Sequence, residues 1–248
     1  MGHTPKGLSF VKDWLVKKLQ AKITTLDRLL AYRRKNSEKQ ALILQARQQI
    51  AVLLDKLSAA ALVPVEEAAK TIRGLEGAAC RVYFDVLSRL LPDEYQFDGR
   101  SRRPALDIFN TFLNYGYGIL YRQVEKALIL AGVNPYTGFM HRDEYLRKAM
   151  VFDFKEPYRH WVEQSVFSLF ASKLPSLQHI MEKDNGYWLN DEGKRILAGN
   201  YLESFRKERE VEDGTTYTRE RKLLLEAKAF ASVMNKTLLS WSPDAAYN

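Results

Sequence analysis

The chain has 248 residues, 46% hydrophobic and 27% charged, which supports a substantial core and argues against wholesale disorder. Its formal charge of +8 and isoelectric point near 9.4 favour polyanionic partners, although many basic proteins never touch nucleic acid. A single cysteine, Cys80, excludes an intrachain disulfide and a cysteine-based zinc site, and no apolar run approaches the ~20 residues of a membrane span.

Near the N-terminus, Lys12, Asp13, Lys17 and Lys18 interrupt what a signal peptide would need to keep apolar, so a cytoplasmic location is the expectation. Val11, Leu15, Leu19, Ile23, Leu26 and Leu30 step by three and four and predict a first amphipathic helix. Asn36-Ser37 breaks it. Ser37 with Gln40 has the form of a capping box, and Ile43, Ala46, Ile50, Leu53 and Leu57 predict a second helix, the two forming an antiparallel hairpin over residues 1–60. Pro64 opens a third, running to about Leu91 before Pro92.

The stretch from Pro92 to Arg103 is polar and irregular and ends in Arg100, Arg102 and Arg103. Pro104 restarts a helix through Ile108, Phe112, Ile119 and Val124, closed by Gly132. A loop carrying His141 precedes a helical pattern from about Asp143 to Lys173, which Pro157 must kink or divide. Shorter helices are expected over 176–183, 191–208 and 218–240, with 209–218 as an exposed loop. No run reads as a strand, so the expected fold is all-α, a single multi-helix domain.

Three polar residues, Glu76, His141 and Glu156, stand in these apolar surroundings. Glu76 lies between Gly74 and Gly77, where small neighbours leave room for a partner helix, a metal or DNA; pairing with Arg73 or Arg81 is the plain structural alternative. Asp153 and Glu156, three apart, would share a helix face, separated by a cation or simply solvated beside Lys155 and Arg159. His141 follows Gly138-Phe139-Met140 at a loop-to-helix junction, whereas His3, His160 and His179 read as surface or capping residues. Two carboxylates and one imidazole without thiolate suit Mg²⁺ or Mn²⁺ better than structural zinc, but no local spacing joins them. Cys80 reads as small core filler. Tyr115 and Tyr117 fit core packing, with base stacking as the functional alternative.

Several words in fixed order resemble the catalytic helical domain of the CRISPR adaptation integrases: EG.A…YF from Glu76, R.RRP from Arg100, N..LNYGYGIL from Asn110, AG..P from Ala131, GF.H from Gly138 and D..EPYR from Asp153. The similarity runs from about Leu8 to Leu239 and includes GYWLNDEGK at 186–194. It implies Glu76, His141 and Glu156 as ligands of Mg²⁺ or Mn²⁺, with Asp153 as a further acidic residue near the metal. It also implies a metal-dependent DNA endonuclease and integrase that joins spacer 3′-hydroxyls to repeat ends in the prokaryotic cytoplasm. Arg102, Arg103, Arg142, Lys155 and Arg159, each close to one of these words, are the candidate DNA contacts.

The partners implied are double-stranded DNA (spacer precursor and CRISPR array), a small ferredoxin-like adaptation subunit and further copies of the chain. A reverse transcriptase, fused or separate, is another. Family members usually begin with a β-rich dimerisation domain, and the expectation here is that it is absent. A second departure is RDEYLRKAM, where Ala149 and Met150 replace a common serine-leucine pair. Two other readings compete: a transposon-type integrase of the same fold, and a non-catalytic DNA-binding or assembly domain.

Overall fold

The computed structural model describes residues 4–32, 37–140, 148–207, 209–212 and 214–239. The helical stripes predicted from spacing are the buried faces. Helix α1 (Pro5–Tyr32) buries Val11, Leu15, Leu19 and Leu26, and α2 (Ser37–Ala59) buries Ile43, Ala46, Ile50 and Leu57. These two pack against each other, and α3 (Val65–Leu90) covers them both. Pro64 lies just outside α3 with φ −64°, and its carbonyl accepts from Ala68 N at 3.0 Å, so the missing N–H costs nothing.

Helix α4 (Ile108–Leu130) starts later than Pro104 suggests, because Asp107 caps it: the carboxylate accepts from Asn110 N at 2.7 Å. It ends in a Schellman motif. Gly132 adopts φ +78°, and Val133 N donates to Leu128 O at 2.9 Å. Pro157 divides the next segment as expected. Helix α5 (Ala149–Phe154) gives way to a 3₁₀ turn at Glu156–Tyr158, and α6 (Arg159–Ala171) follows.

Two expectations fail beyond this point. Residues 176–183 are not a helix: a short 3₁₀ turn at Leu177–His179 leads into strand β1 (Ile180–Lys183), antiparallel to β2 (Gly186–Leu189) with Lys183 opposite Gly186. Asp184 and Asn185 both have positive φ, the backbone a two-residue hairpin turn demands. After α7 (Asp191–Lys207), the expected loop at 209–218 is a second hairpin. Here β3 (Arg209–Glu212) pairs with β4 (Thr215–Thr218), turning through Gly214 at φ +74°, before α8 (Arg219–Leu239). The expected all-α class holds, with two small hairpins added.

Helix α1 connects two layers. One face meets α2 and α3, and the other meets α6 and the Glu156–Tyr158 turn; α4 in turn packs on α6, α7 and α8. An aromatic cluster of Phe10, Trp14, Phe139, Phe154 and Phe230 fastens α1 to α5, α8 and the chain leading to residue 140. Residues from α1, α3 and the α5–α6 turn thereby meet in one cleft.

Candidate active site

The carboxylates of Glu76 and Glu156, on α3 and on the turn after α5, converge on a single cation. Lys18 Nζ, from α1, lies 2.5 Å from Glu76 Oε1 and 2.5 Å from Glu156 Oε2. The Lys18 side chain is 4% exposed, against 22% for Glu76 and 13% for Glu156. The two carboxylates therefore share one ammonium, and all three groups line a cleft of about 330 Å³. Arg73, Arg102, Met140, Asp153, Lys155 and Arg159 also line it.

Glu76 takes Lys18 and not the alternative partners Arg73 or Arg81; Arg73 Nε instead donates to Ala69 O. The Cys80 thiol donates to Glu76 Oε1 at 3.0 Å, one turn on, so Cys80 is more than filler. Burial holds that thiol protonated by raising its pKa. Burial also acts to raise the Glu76 carboxyl, but the Lys18 ammonium overrides it and leaves the group below its ordinary value. For Glu156 burial is again overridden, first by Arg159 and then by Lys18, and the carboxyl is held far below the usual carboxylate range. Lys18 is held well above its ordinary value, because the carboxylates of Glu156 and Glu76 outweigh its burial.

Asp153 and Glu156 both line the cleft, but their carboxylates take different partners. Asp153, 1% exposed, turns to the chain that leads to residue 141, and Oδ2 accepts the backbone N–H groups of Phe139 at 2.7 Å and Met140 at 3.0 Å. Its carboxylate orders that approach while Met140 reaches the cleft wall. His141 and Arg142 themselves lie outside the described residues. Among the described residues no group of three or more His, Cys, Asp or Glu side chains could hold a metal; the structure contributes the Glu76–Glu156 pair.

Among the expected DNA contacts, Arg102, Lys155 and Arg159 line the cleft. Arg103 is exposed on the same connection, away from that lining. Asn114 on α4 pins this connection by donating to Arg102 O at 2.9 Å, and Tyr187 N of β2 donates to Ala105 O at 2.9 Å. Arg159 is committed to Glu156 at 3.2 Å, with its guanidinium 4.1 Å from the Tyr117 ring centroid. The Lys155 ammonium sits 4.2 Å from the Phe152 ring centroid, and burial lowers its pKa to about 8.

Behind the cleft is a charged layer that the sequence reading missed. Lys22, one turn beyond Lys18, donates to both Glu163 oxygens at 3.0 and 2.9 Å, and each side chain is 1% exposed. Tyr117 donates to Glu163 at 2.7 Å, which supports packing over stacking for this tyrosine. Burial opposes the Glu163 charge, yet Lys22 and Arg159 bring its pKa down to about 2. The sequence did carry a signal: Lys18 and Lys22 fall on the arc occupied by Leu15, Leu19 and Leu26.

Residues 2–203 match the family described as CRISPR associated protein Cas1. A CRISPR-associated endonuclease Cas1 of Archaeoglobus fulgidus is 31% identical over 206 residues, covering 80% of this chain and 60% of the relative. Another, of Thermus thermophilus, is 42% identical over 127 residues, covering 51% and 40%. The chain thus spans less than two thirds of the length of either relative.

Among solved structures, a casposase bound to integration product superposes with a TM-score of 0.77 at 24% identity, over 93% of this chain and 61% of the other, which shows the fold. A Cas6-RT-Cas1–Cas2 complex gives 0.74 at 27% identity, over 92% of this chain and 24% of the other. A match over residues 2–203 is enough to place this chain in the Cas1 family.

Proposed function

We propose that this chain carries the DNA-cleaving and DNA-joining centre of CRISPR spacer acquisition, with Glu76, Glu156 and His141 as ligands of one Mg²⁺ or Mn²⁺ ion. The observation that carries the reading is the convergence of Glu76 and Glu156 on one cation beside Met140. The residues fit a divalent ion: two anionic oxygen donors flank a site already occupied by positive charge, and a hard cation favours such donors. When bound, the ion would supply Lewis-acid polarisation of a phosphate oxygen.

The chain's own groups do the rest. Arg102 and Lys155 hold the DNA phosphates along the cleft, and Arg103 and Arg142 are further phosphate contacts. Arg159 orients Glu156 through its ion pair, and Asp153 orients the approach to His141 through the Phe139 and Met140 amides. The reaction is a balanced exchange. A spacer 3′-hydroxyl attacks a phosphodiester at the repeat edge, one phosphorus–oxygen bond forms as another breaks, and the proton lost by the attacking oxygen is matched by one gained at the departing 3′-oxygen. Hydrolysis uses water in place of the hydroxyl.

The partners proposed are spacer and array DNA, a small adaptation subunit and further copies of the chain in the prokaryotic cytoplasm. The similarity to the Cas6-RT-Cas1–Cas2 complex supports an adaptation partner and a reverse-transcriptase connection. Among the described residues no helix is long and apolar enough to cross a membrane. A second reading, a transposon-type integrase, is favoured by the casposase likeness.

Strand transfer into supercoiled DNA carrying a CRISPR array, with Mn²⁺ or Mg²⁺, tests the proposal. Wild type is expected to integrate, and Glu156→Ala and His141→Ala to lose integration. Undiminished transfer by either variant would overturn the site, and a preference for transposon ends over the array would select the second reading.

A further inference from the structure

The ammonium between the two carboxylates has a use that ligand assignment alone does not give it. We propose that Lys18 is a positioning residue that stands in for the divalent ion, holding Glu76 and Glu156 together until metal loading drives it out of the space between them. The inference rests on the metal reading of this site.

Two anionic carboxylates set this close and largely buried need a counter-charge, because an ion left unpaired away from water is strongly disfavoured. Lys18 provides it from α1, a different element from either ligand, at 2.5 Å to each. It fills the place a cation shared by both carboxylates would take, so a second cation cannot enter without displacing it. There is room to withdraw. A second cavity, of about 350 Å³, adjoins the first, and Lys18, Glu76, Arg102 and Arg159 line both. The consequence is a preformed pair of ligands at the cost of competition, and the apparent metal affinity falls by the fraction of molecules in which Lys18 has vacated the site.

An ion pair that only ties α1 to α3 would behave differently. Its loss would loosen the ligands and weaken metal binding. Loss of a stand-in removes the competitor and strengthens it. Manganese binding by electron paramagnetic resonance on the purified full chain separates the two. Lys18→Met is expected to bind Mn²⁺ about tenfold or more tightly than wild type, with a larger rise in melting temperature on adding Mn²⁺.

Wild type gives an independent readout that does not depend on the variant folding. Acylation of lysines read by mass spectrometry should modify Lys18 when Mn²⁺ is present and spare it when Mn²⁺ is absent. Lys22, buried against Glu163, should stay protected throughout. Weaker Mn²⁺ binding by Lys18→Met, or equal protection of Lys18 with Mn²⁺ bound, would overturn the inference. A Glu76→Ala/Glu156→Ala protein guards the underlying assignment. If it binds Mn²⁺ as wild type does, or if none of the three proteins binds Mn²⁺, the metal centre itself is wrong and the stand-in falls with it.

Discussion

The Asp153 carboxylate accepts the backbone N–H of Phe139 at 2.7 Å, across fourteen residues of sequence. With Met140 N bound to the same oxygen at 3.0 Å, one buried acid fixes the direction in which the chain enters the His141 segment. Asp153→Ala leaves two amides without this acceptor, and a loss of about 1–3 kcal/mol in urea unfolding is expected. Strand transfer should fall with it. Asp153→Asn keeps an oxygen in place and should retain more stability than alanine; equal losses would show that the amide contacts are not what matters.

Gly138 sits one residue earlier under the same constraint. A Cβ there would lie 2.7 Å from Ala149 Cβ, 2.9 Å from Ala149 C and 3.0 Å from Asp153 Oδ2. Gly138→Ala should destabilise by about 1–3 kcal/mol, as overpacking does. Adding Ala149→Gly should recover only part of the loss, because the backbone carbon remains; thermal denaturation of the wild type and these two variants decides it.

The Lys22–Glu163 pair behind the cleft is buried at both ends. Lys22→Met strands the Glu163 charge and should cost roughly 3–5 kcal/mol, while Lys22→Met/Glu163→Leu should recover most of it. Glu163 is held at about 2 from an ordinary 4.5, chiefly by Lys22 against the effect of burial. Its contribution is therefore complete above pH about 4.5 and is lost as pH falls toward 2. Urea midpoints measured down that range should drop more steeply for wild type than for the double variant.

Arg102, the proposed phosphate contact, lines both cavities that meet at Lys18. Arg102→Ala should lower the slope of log affinity against log salt for duplex DNA by about 0.9. Arg103→Ala, on the same connection but outside both linings, should lower it less, and an unchanged slope would remove Arg103 from the contact set.

Much of the fold was legible because the buried faces of α1 and α2 obey a three-and-four spacing and Pro157 breaks the chain where its chemistry requires. The hairpins were harder. Strands of four residues, β1 and β2 among them, are too short for alternation to stand out, although Asp213-Gly214 in the sequence is a hairpin turn signal as well as a loop signal. The carboxylate pair was reached through motif order and not through spacing: Glu76 and Glu156 are eighty residues apart and meet only because α1 brings α3 and the α5–α6 turn together. Lys18, Lys22 and Glu163 were missed because their partners come from distant elements. A lysine on an apolar arc has no meaning until its carboxylate is known.

Anomalous diffraction from crystals soaked in manganese chloride shows whether Glu76 and Glu156 share a divalent ion. A manganese peak bonded to both carboxylates and to the His141 imidazole is expected, with the Lys18 ammonium moved aside. A map with Lys18 still between Glu76 and Glu156, and manganese elsewhere or nowhere, would contradict a shared ion.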